Sequence, residues 1–161
     1  MEAGKQQLAQ ACGAALWVGD KACQAHGIEL QEITAGGAVM SMTVRDDMVN
    51  GHAICHGGFI FALADSSFAY ACNSENFNTV AAGARIEFLA PARLGETLTA
   101  RARQVIQRGR TGLYDVEVSN QQGDVIALFR GNSHRIGGQL VATANSGDVD
   151  QTAGPATGEP V

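Results

Sequence analysis

The sequence lacks the features that mark several common classes of protein. No stretch approaches the roughly 18 consecutive apolar residues of a membrane-spanning helix, and the first residues lack the basic start and apolar run of a signal peptide. The 11 basic and 16 acidic residues give a net charge of −5, whereas a nucleic-acid backbone requires a basic surface. None of the four cysteines belongs to a CxxC pair. We therefore expect a cytoplasmic protein with free thiols that binds neither membranes nor nucleic acids.

The sequence does contain enough apolar material for one domain. Its 161 residues are 45% apolar, and typical domains hold about 100–200 residues. We predict a single domain over residues 1–140. Residues 141–161 have no periodic pattern and almost no large apolar side chains, which predicts a disordered tail.

Apolar periodicity and turn residues predict the order helix, two strands, long helix, four strands. The predicted ranges are a helix over 5–26, strands over 28–34 and 39–45, a loop over 46–56, a helix over 57–73, and strands over 79–89, 96–107, 112–120 and 124–135. Short turns join the last three strands, which favours an antiparallel meander. The fold class is therefore α+β, with a six-stranded antiparallel sheet wrapped around the long helix. An edge of that sheet would stay exposed unless a partner chain covers it.

The long helix is apolar nearly all round, yet Asp65 stands at its centre. Helical spacing places two phenylalanines and two alanines beside it, and the helix contains no basic residue. An unpaired carboxylate in apolar surroundings is costly or becomes protonated. The structural explanations are a partner on another strand or a polar stripe shared with Ser66 and Ser67. The functional explanation is a catalytic base or nucleophile with a raised pKa.

The start of this helix offers a second chemical feature. Gly57 and Gly58 follow His56, and backbone N–H groups at a helix N-terminus are free donors that suit a developing oxyanion. Asn50 adds a polar group in the preceding loop. Gly57 and Asp65 stand about 12 Å apart along one helix, too far for one carbonyl group to meet both. If both act on the same carbonyl, they come from different subunits.

These residues form one continuous motif, NGHxxxHGGxxxxLAD, which runs from Asn50 to Asp65. It closely resembles the hotdog-fold acyl-CoA thioesterases of the phenylacetate-degradation (PaaI) type, as does the later segment ALFRGNSHRIGG, and the resemblance covers about residues 5–138. It implies the hotdog fold, a curved antiparallel sheet of about six strands around a long central helix. It also implies a homodimer that forms the active site, usually within a homotetramer.

The resemblance implies a role for each motif residue. Asp65 would be the nucleophile or general base, and the Gly57 N–H of the other subunit would polarise the thioester carbonyl. Asn50 would orient the thioester or the water, and His56 would support that loop. The implied substrate is a coenzyme A thioester, first of all phenylacetyl-CoA and its ring-hydroxylated relatives, with no metal and no cofactor. Some relatives carry Ser or Thr on the strand after the helix, near the place where this chain has Gly83.

Residues for the nucleotide end of coenzyme A are less sharply indicated. Residues 85–135 carry eight arginines against five acidic residues, and Arg suits bidentate contacts to phosphate. Solvated strand faces explain such a pattern equally well. As candidate substrate-binding residues we take Gly58, Arg108, Arg110 and Arg135.

Three other interpretations remain open at this point. The HAICH segment, with His52, Cys55 and His56, is compatible with a metal site, although no Glu accompanies it. A hotdog hydratase or dehydratase would act on acyl-CoA with a His paired with an acid. A non-catalytic acyl-CoA-binding module would need no Asp65.

Overall fold

Three α-helices, a short 3₁₀ turn and six strands make up residues 1–143, the part of the chain that this computed structural model describes. The elements are α1 (Glu2–Gly19), α2 (Lys21–His26), β1 (Glu29–Thr34), β2 (Gly37–Thr43), the 3₁₀ turn (Asp46–Met48), α3 (Gly57–Asn73), β3 (Thr79–Phe88), β4 (Thr97–Arg108), β5 (Thr111–Ser119) and β6 (Val125–Arg135).

The strands form one antiparallel sheet in the order β1-β2-β4-β5-β6-β3. The hairpin of β1 and β2 and the meander of β4, β5 and β6 confirm the arrangement expected from the turn residues. The strand that follows α3 lies at the far edge beside β6, so β2 pairs directly with β4. The predicted α+β class, with a six-stranded sheet around a long helix, is confirmed.

Helix α3 packs against the inner face of this sheet. Leu63, Ala64 and Phe68 are fully buried, and the Phe68 ring lies 5.8 Å from that of Phe129 on β6. A side-chain carbon at Gly131 would stand 2.8 Å from the Phe68 ring. Glycine at this position of β6 therefore lets the helix approach the sheet closely enough to seat Phe68.

The single helix predicted over 5–26 is wrong, because the chain forms two helices that meet at Asp20. One oxygen of the Asp20 carboxylate accepts a hydrogen bond from the Cys23 N–H at 3.0 Å and caps α2. The other accepts the Tyr70 hydroxyl of α3 at 3.0 Å. A side chain that bonds to nearby backbone N–H groups competes with helix continuation, and here the tie to α3 fixes the break.

No helix among residues 1–143 is long and apolar enough to cross a membrane. The tail predicted over 141–161 falls almost wholly outside the described residues, which end at 143. Just before that point, the N–H groups of Leu140 and Val141 donate to the Asn76 side chain at 2.9 Å.

The bond between Tyr70 and Asp20 generates a stability prediction. We expect Tyr70→Phe to lower the free energy of unfolding by about 1–2 kcal/mol, because a hydrogen bond to a charged group contributes roughly that much. Asp20→Ala should cost about 1 kcal/mol more, since it also removes the cap of α2. Urea unfolding at fixed protein concentration measures both. In the Asp20→Ala background, Tyr70→Phe should have little further effect; strictly additive losses would show that the bond contributes nothing.

Candidate active site

The N-terminus of α3 is capped by an unusual residue, His56. The His56 ring Nδ1 accepts a hydrogen bond from the Gly58 N–H at 2.9 Å. The backbone N–H of His56 donates to the Met48 carbonyl at 2.7 Å. The Gly58 amide, which we expected to serve substrate, is thus occupied by the cap. Among residues 1–143, the N–H of Gly57 has no acceptor. The free donor at the helix start is therefore Gly57.

The preceding loop holds Asn50 next to this donor. The Asn50 Oδ1 accepts the N–H groups of His52 at 2.9 Å and Ile54 at 3.4 Å, and the Asn50 N–H donates to the Ile54 carbonyl at 2.8 Å. The side-chain oxygen thus organises the turn. The Asn50 NH₂ group donates to no acceptor within the described part of the chain, which leaves it available to a ligand.

Asn50 and Gly57 line a cleft of about 370 Å³ between the loop and the end of β3. Apart from Asn50, the side chains lining this cleft are apolar or absent. The lining residues are Asn50, Ile54, Cys55, Gly57, Ile60, Phe88, Leu89, Ala90, Pro91 and Ala92. Such a cleft suits an uncharged apolar group whose one polar end meets the two free donors.

Asp65 lies two turns further along α3 and is partly buried. Burial raises the pKa of its carboxyl above the usual value. The hydrogen bonds and ion pairs found among residues 1–143 include none to this carboxylate, so no strand in this part of the chain supplies the partner that a structural role would require. Ser66 accepts the Cys23 thiol at 3.3 Å, and the buried Ser67 donates to the carbonyls of Ala38 and Ala100. The serines therefore do not form a solvent-facing stripe with it.

Asn50 and Gly57 thus share one cleft with the His56 cap beside it, and Asp65 is not among the residues that line this cleft. This separation agrees with the expected distance of about 12 Å between Gly57 and Asp65 along the helix.

Two of the three candidate arginines share a second cleft, of about 420 Å³. Arg110 and Arg135 line it with Phe77, Gly137 and Gly138, among others. The Arg135 guanidinium lies 3.8 Å above the Phe77 ring and 3.5 Å from the carboxylate of Glu75. Arg108 is exposed at the end of β4 and lines neither cleft.

A larger groove, about 610 Å³, lies on the outer face of the sheet, away from the helix start. Arg103 and Arg130 both pair with Asp115 there, at 3.2 and 2.6 Å, and the Arg130 contact above all holds the pKa of that carboxyl below its usual range. The lining as a whole carries four arginines and three carboxylates, which largely neutralise one another. Volume alone is therefore a poor guide to the chemistry of this protein.

Sequence reasoning missed Phe88 and the segment after it, as well as the capping role of His56. Phe88 is the last residue of β3 and belongs to no motif in the sequence. The cap is not one that residue preference suggests, because Ser, Thr, Asp and Asn are the usual N-caps.

The chain is similar to known proteins over most of its length. Residues 52–127 match the model of the thioesterase superfamily. The chain is 48% identical over 130 residues to the acyl-coenzyme A thioesterase PaaI of Escherichia coli (strain K12), which covers 81% of this chain and 93% of that protein.

Solved structures show the same likeness. That of E. coli PaaI superposes with a TM-score of 0.82 at 47% identity, covering 83% of this chain and 97% of that one. A mutant of the phenylacetic acid degradation protein PaaI from Thermus thermophilus gives 0.70 at 38%, covering 73% and 100%. The smu.793 protein of Streptococcus mutans UA159, bound to acetyl-CoA, gives 0.67 at 27%, covering 70% and 90%.

The sheet wrapped around α3, the free donor at the helix start and these likenesses define the class of protein, a hotdog-fold thioester hydrolase. The chain belongs to the thioesterase superfamily, and within it to the PaaI-type acyl-coenzyme A thioesterases. The resemblance, the fold class and the enzyme class predicted from the sequence are confirmed.

The raised pKa of Asp65 generates a prediction about stability. A raised pKa means that the folded protein holds the proton more tightly than the unfolded chain. The ionised carboxylate therefore destabilises the fold above the folded pKa, and this cost disappears as the pH falls through that pKa to below the unfolded value of about 3.9. We expect Asp65→Asn to raise the melting temperature at about pH 7.5, and the gain to shrink toward about pH 4.

Differential scanning fluorimetry across this pH range measures the effect. Asp46→Asn, at an exposed carboxylate of the 3₁₀ turn, is the matched control and should change little. A gain that is independent of pH, or one shared by the control, would contradict the assignment of the cost to Asp65.

Proposed function

We propose that this protein hydrolyses phenylacetyl-CoA and ring-hydroxylated phenylacetyl-CoA to the free acid and coenzyme A, in the cytoplasm, as a step of phenylacetate catabolism. The observation that carries the proposal is the free Gly57 N–H at an apolar cleft, together with the unpaired carboxylate of Asp65 on the same helix. The name of the E. coli relative, a PaaI acyl-coenzyme A thioesterase, supports the substrate class.

The donors at the cleft suit the carbonyl of a thioester. The Gly57 N–H and the Asn50 NH₂ donate to the carbonyl oxygen and stabilise the oxyanion that forms as the carbon becomes tetrahedral. His56 holds the Gly58 amide and fixes the helix start, so that the Gly57 N–H keeps its direction. The donors are in place before substrate arrives, which is the condition under which such stabilisation is most effective.

Asp65 either attacks the carbonyl carbon itself, as a nucleophile, or acts as the base that takes a proton from an attacking water. In the second case the water oxygen bonds to the carbonyl carbon, the C–S bond breaks, and the electron pair leaves with the sulfur. The proton held by Asp65 then neutralises the thiolate. Since a thiolate leaves readily, the site needs no strong acid and no catalytic triad.

The edge of the sheet supports a homodimer with a composite site. Strand β3 is exposed along most of its length, and its outer edge has no neighbour among the described residues. The centre of the strand, Ala81–Ala84, carries only small side chains. An open edge of this kind pairs readily with a second strand, and a second copy would extend the sheet and bring another α3 close. The homotetramer implied by the resemblance stays a prediction.

For the phosphates of coenzyme A, the structure favours Arg110 and Arg135 over Arg108. The Arg135 side chain is already oriented by Phe77 and Glu75, so less freedom is lost when it binds an anion. The S. mutans relative holds acetyl-CoA, which agrees with a coenzyme A ligand in this superfamily.

The substrate is tested by a thiol-release assay with phenylacetyl-CoA, hydroxyphenylacetyl-CoA, benzoyl-CoA, acetyl-CoA and a long-chain acyl-CoA. We expect the two phenylacetyl thioesters to have the highest kcat/KM. Asp65→Asn should lower kcat by at least about 100-fold, as loss of general-base catalysis does. Retained turnover in pure Asp65→Asn protein would overturn the role of Asp65, and binding without turnover in the native protein would favour a non-catalytic module.

The composite site is tested with two variants that each damage one half of it. Gly57→Pro removes the N–H at the first helical position, where the proline backbone fits. Gly57→Ala adds the same side-chain carbon beside Phe88 but keeps the N–H, and therefore serves as the control. In a homodimer of either variant, every active site lacks one of the two groups. A hybrid dimer pairs one Gly57→Pro chain with one Asp65→Asn chain. If each site takes Gly57 from one subunit and Asp65 from the other, the hybrid has one intact site and one site that lacks both groups.

We expect hybrid dimers, isolated from co-expression with two affinity tags, to recover about half of the native kcat. If Gly57 and Asp65 of the same chain acted together, every site of the hybrid would stay damaged and no activity would return. Either result is independent of which thioester is the preferred substrate.

A further inference from the structure

We propose that Phe88 selects aryl acyl groups, because its ring forms the wall of the cleft against which the aromatic ring of the substrate packs while the Gly57 N–H holds the carbonyl oxygen. This inference rests on the proposed function and adds the residue that decides which thioester is preferred.

Phe88 points from the end of β3 toward the start of α3. It is in register with the buried Ala127 on β6, two residues beyond the pair of Ile86 and Phe129. Its ring therefore faces the same side of the sheet as the core residues. At the end of the strand, however, it meets Gly57, and Phe88 stays 52% exposed.

The contact between the ring and Gly57 is close. A side-chain carbon at Gly57 would stand 3.0 Å from Cζ of Phe88 and 3.3 and 3.4 Å from its two Cε atoms. The tip of the ring thus lies directly beside the backbone whose N–H is free. A carbonyl oxygen bound to that N–H would place the adjoining acyl group within reach of the ring.

The rest of the cleft suits an uncharged aromatic acyl group. None of its lining residues is charged, and Asn50 is its one polar side chain. The arginines that suit phosphate lie in other clefts. Phe88 is the aromatic residue of this lining, and aromatic pairs are favoured beyond their buried area.

Phe88→Leu tests the proposal, since leucine keeps an apolar side chain and removes the ring. We expect kcat/KM for phenylacetyl-CoA to fall roughly 2- to 13-fold, the factor that corresponds to one aromatic pair. For acetyl-CoA, whose methyl group offers no aromatic ring to pair with Phe88, kcat/KM should stay close to the native value. Phe88→Ala should lower the phenylacetyl-CoA value further.

Ile106→Ala, at an exposed apolar side chain near the irregularity in β4, is the control for general surface effects, and size-exclusion chromatography checks that each variant keeps the native assembly. A parallel loss for both thioesters would show that Phe88 only supports Gly57, and no loss for either would show that the ring does not contact substrate. Both results overturn the inference. Failure of the proposed function appears separately, as absent phenylacetyl-CoA turnover in the native protein.

Discussion

Asp65 can stay in the middle of an apolar helix only if the protein leaves one side of that helix open. Leu63 and Ala64, its immediate neighbours, are fully buried, whereas Asp65 is only partly so. Phe61, on the same side of α3, packs on Phe129 of β6, the strand next to the open edge at β3. The carboxylate therefore lies toward the β3 edge of the sheet. The same geometry that keeps Asp65 accessible leaves open the edge at β3, which we propose a second copy of the chain covers.

The start of α3 shows how one short segment meets two demands at once. A side-chain carbon at Gly57 would stand 3.0 Å from the Phe88 ring, and one at Gly58 would stand 3.1 Å from Nδ1 of His56, so that each neighbour would have to move by a few tenths of an ångström. The two glycines thus allow close packing for different reasons, the first against the wall of the cleft and the second against the cap. His56 accepts the Gly58 N–H, and the Gly57 N–H has no acceptor among the described residues. The helix start therefore presents one N–H donor with a fixed direction, in addition to the positive end of the helix dipole.

Much of this architecture could be predicted from the sequence, and the errors have local causes. The strands and the meander follow from period-two patterns and short turns, which are local signals. The break at Asp20 depends on Tyr70, 50 positions away, and helix periodicity carries no sign of it. Asp65 could be recognised in the sequence because it is a charged residue in an apolar helix. Phe88 could not, because an aromatic residue in a strand is ordinary. Its importance comes from the strand end that brings it to Gly57. Only the structure distinguishes the candidate arginines from one another, because Arg110 and Arg135 line the same cleft and Arg108 does not.

Some relatives in the family that this sequence resembles carry Ser or Thr near the position where this chain has Gly83. The lack of a hydroxyl there bears on how Asp65 would act in the proposed reaction. Thr79 is the one hydroxyl-bearing residue of β3, and its hydroxyl donates to the Phe77 carbonyl at 2.7 Å. On α3, Ser67 donates to two strand carbonyls, whereas Ser66 accepts the Cys23 thiol and keeps its own hydroxyl proton. Of these three hydroxyls, only that of Ser66, next to Asp65 in the chain, has a proton without an acceptor among the described residues. In the proposed reaction, the attacking atom would be oriented mainly by Asp65, whose burial raises its pKa and strengthens it as a base.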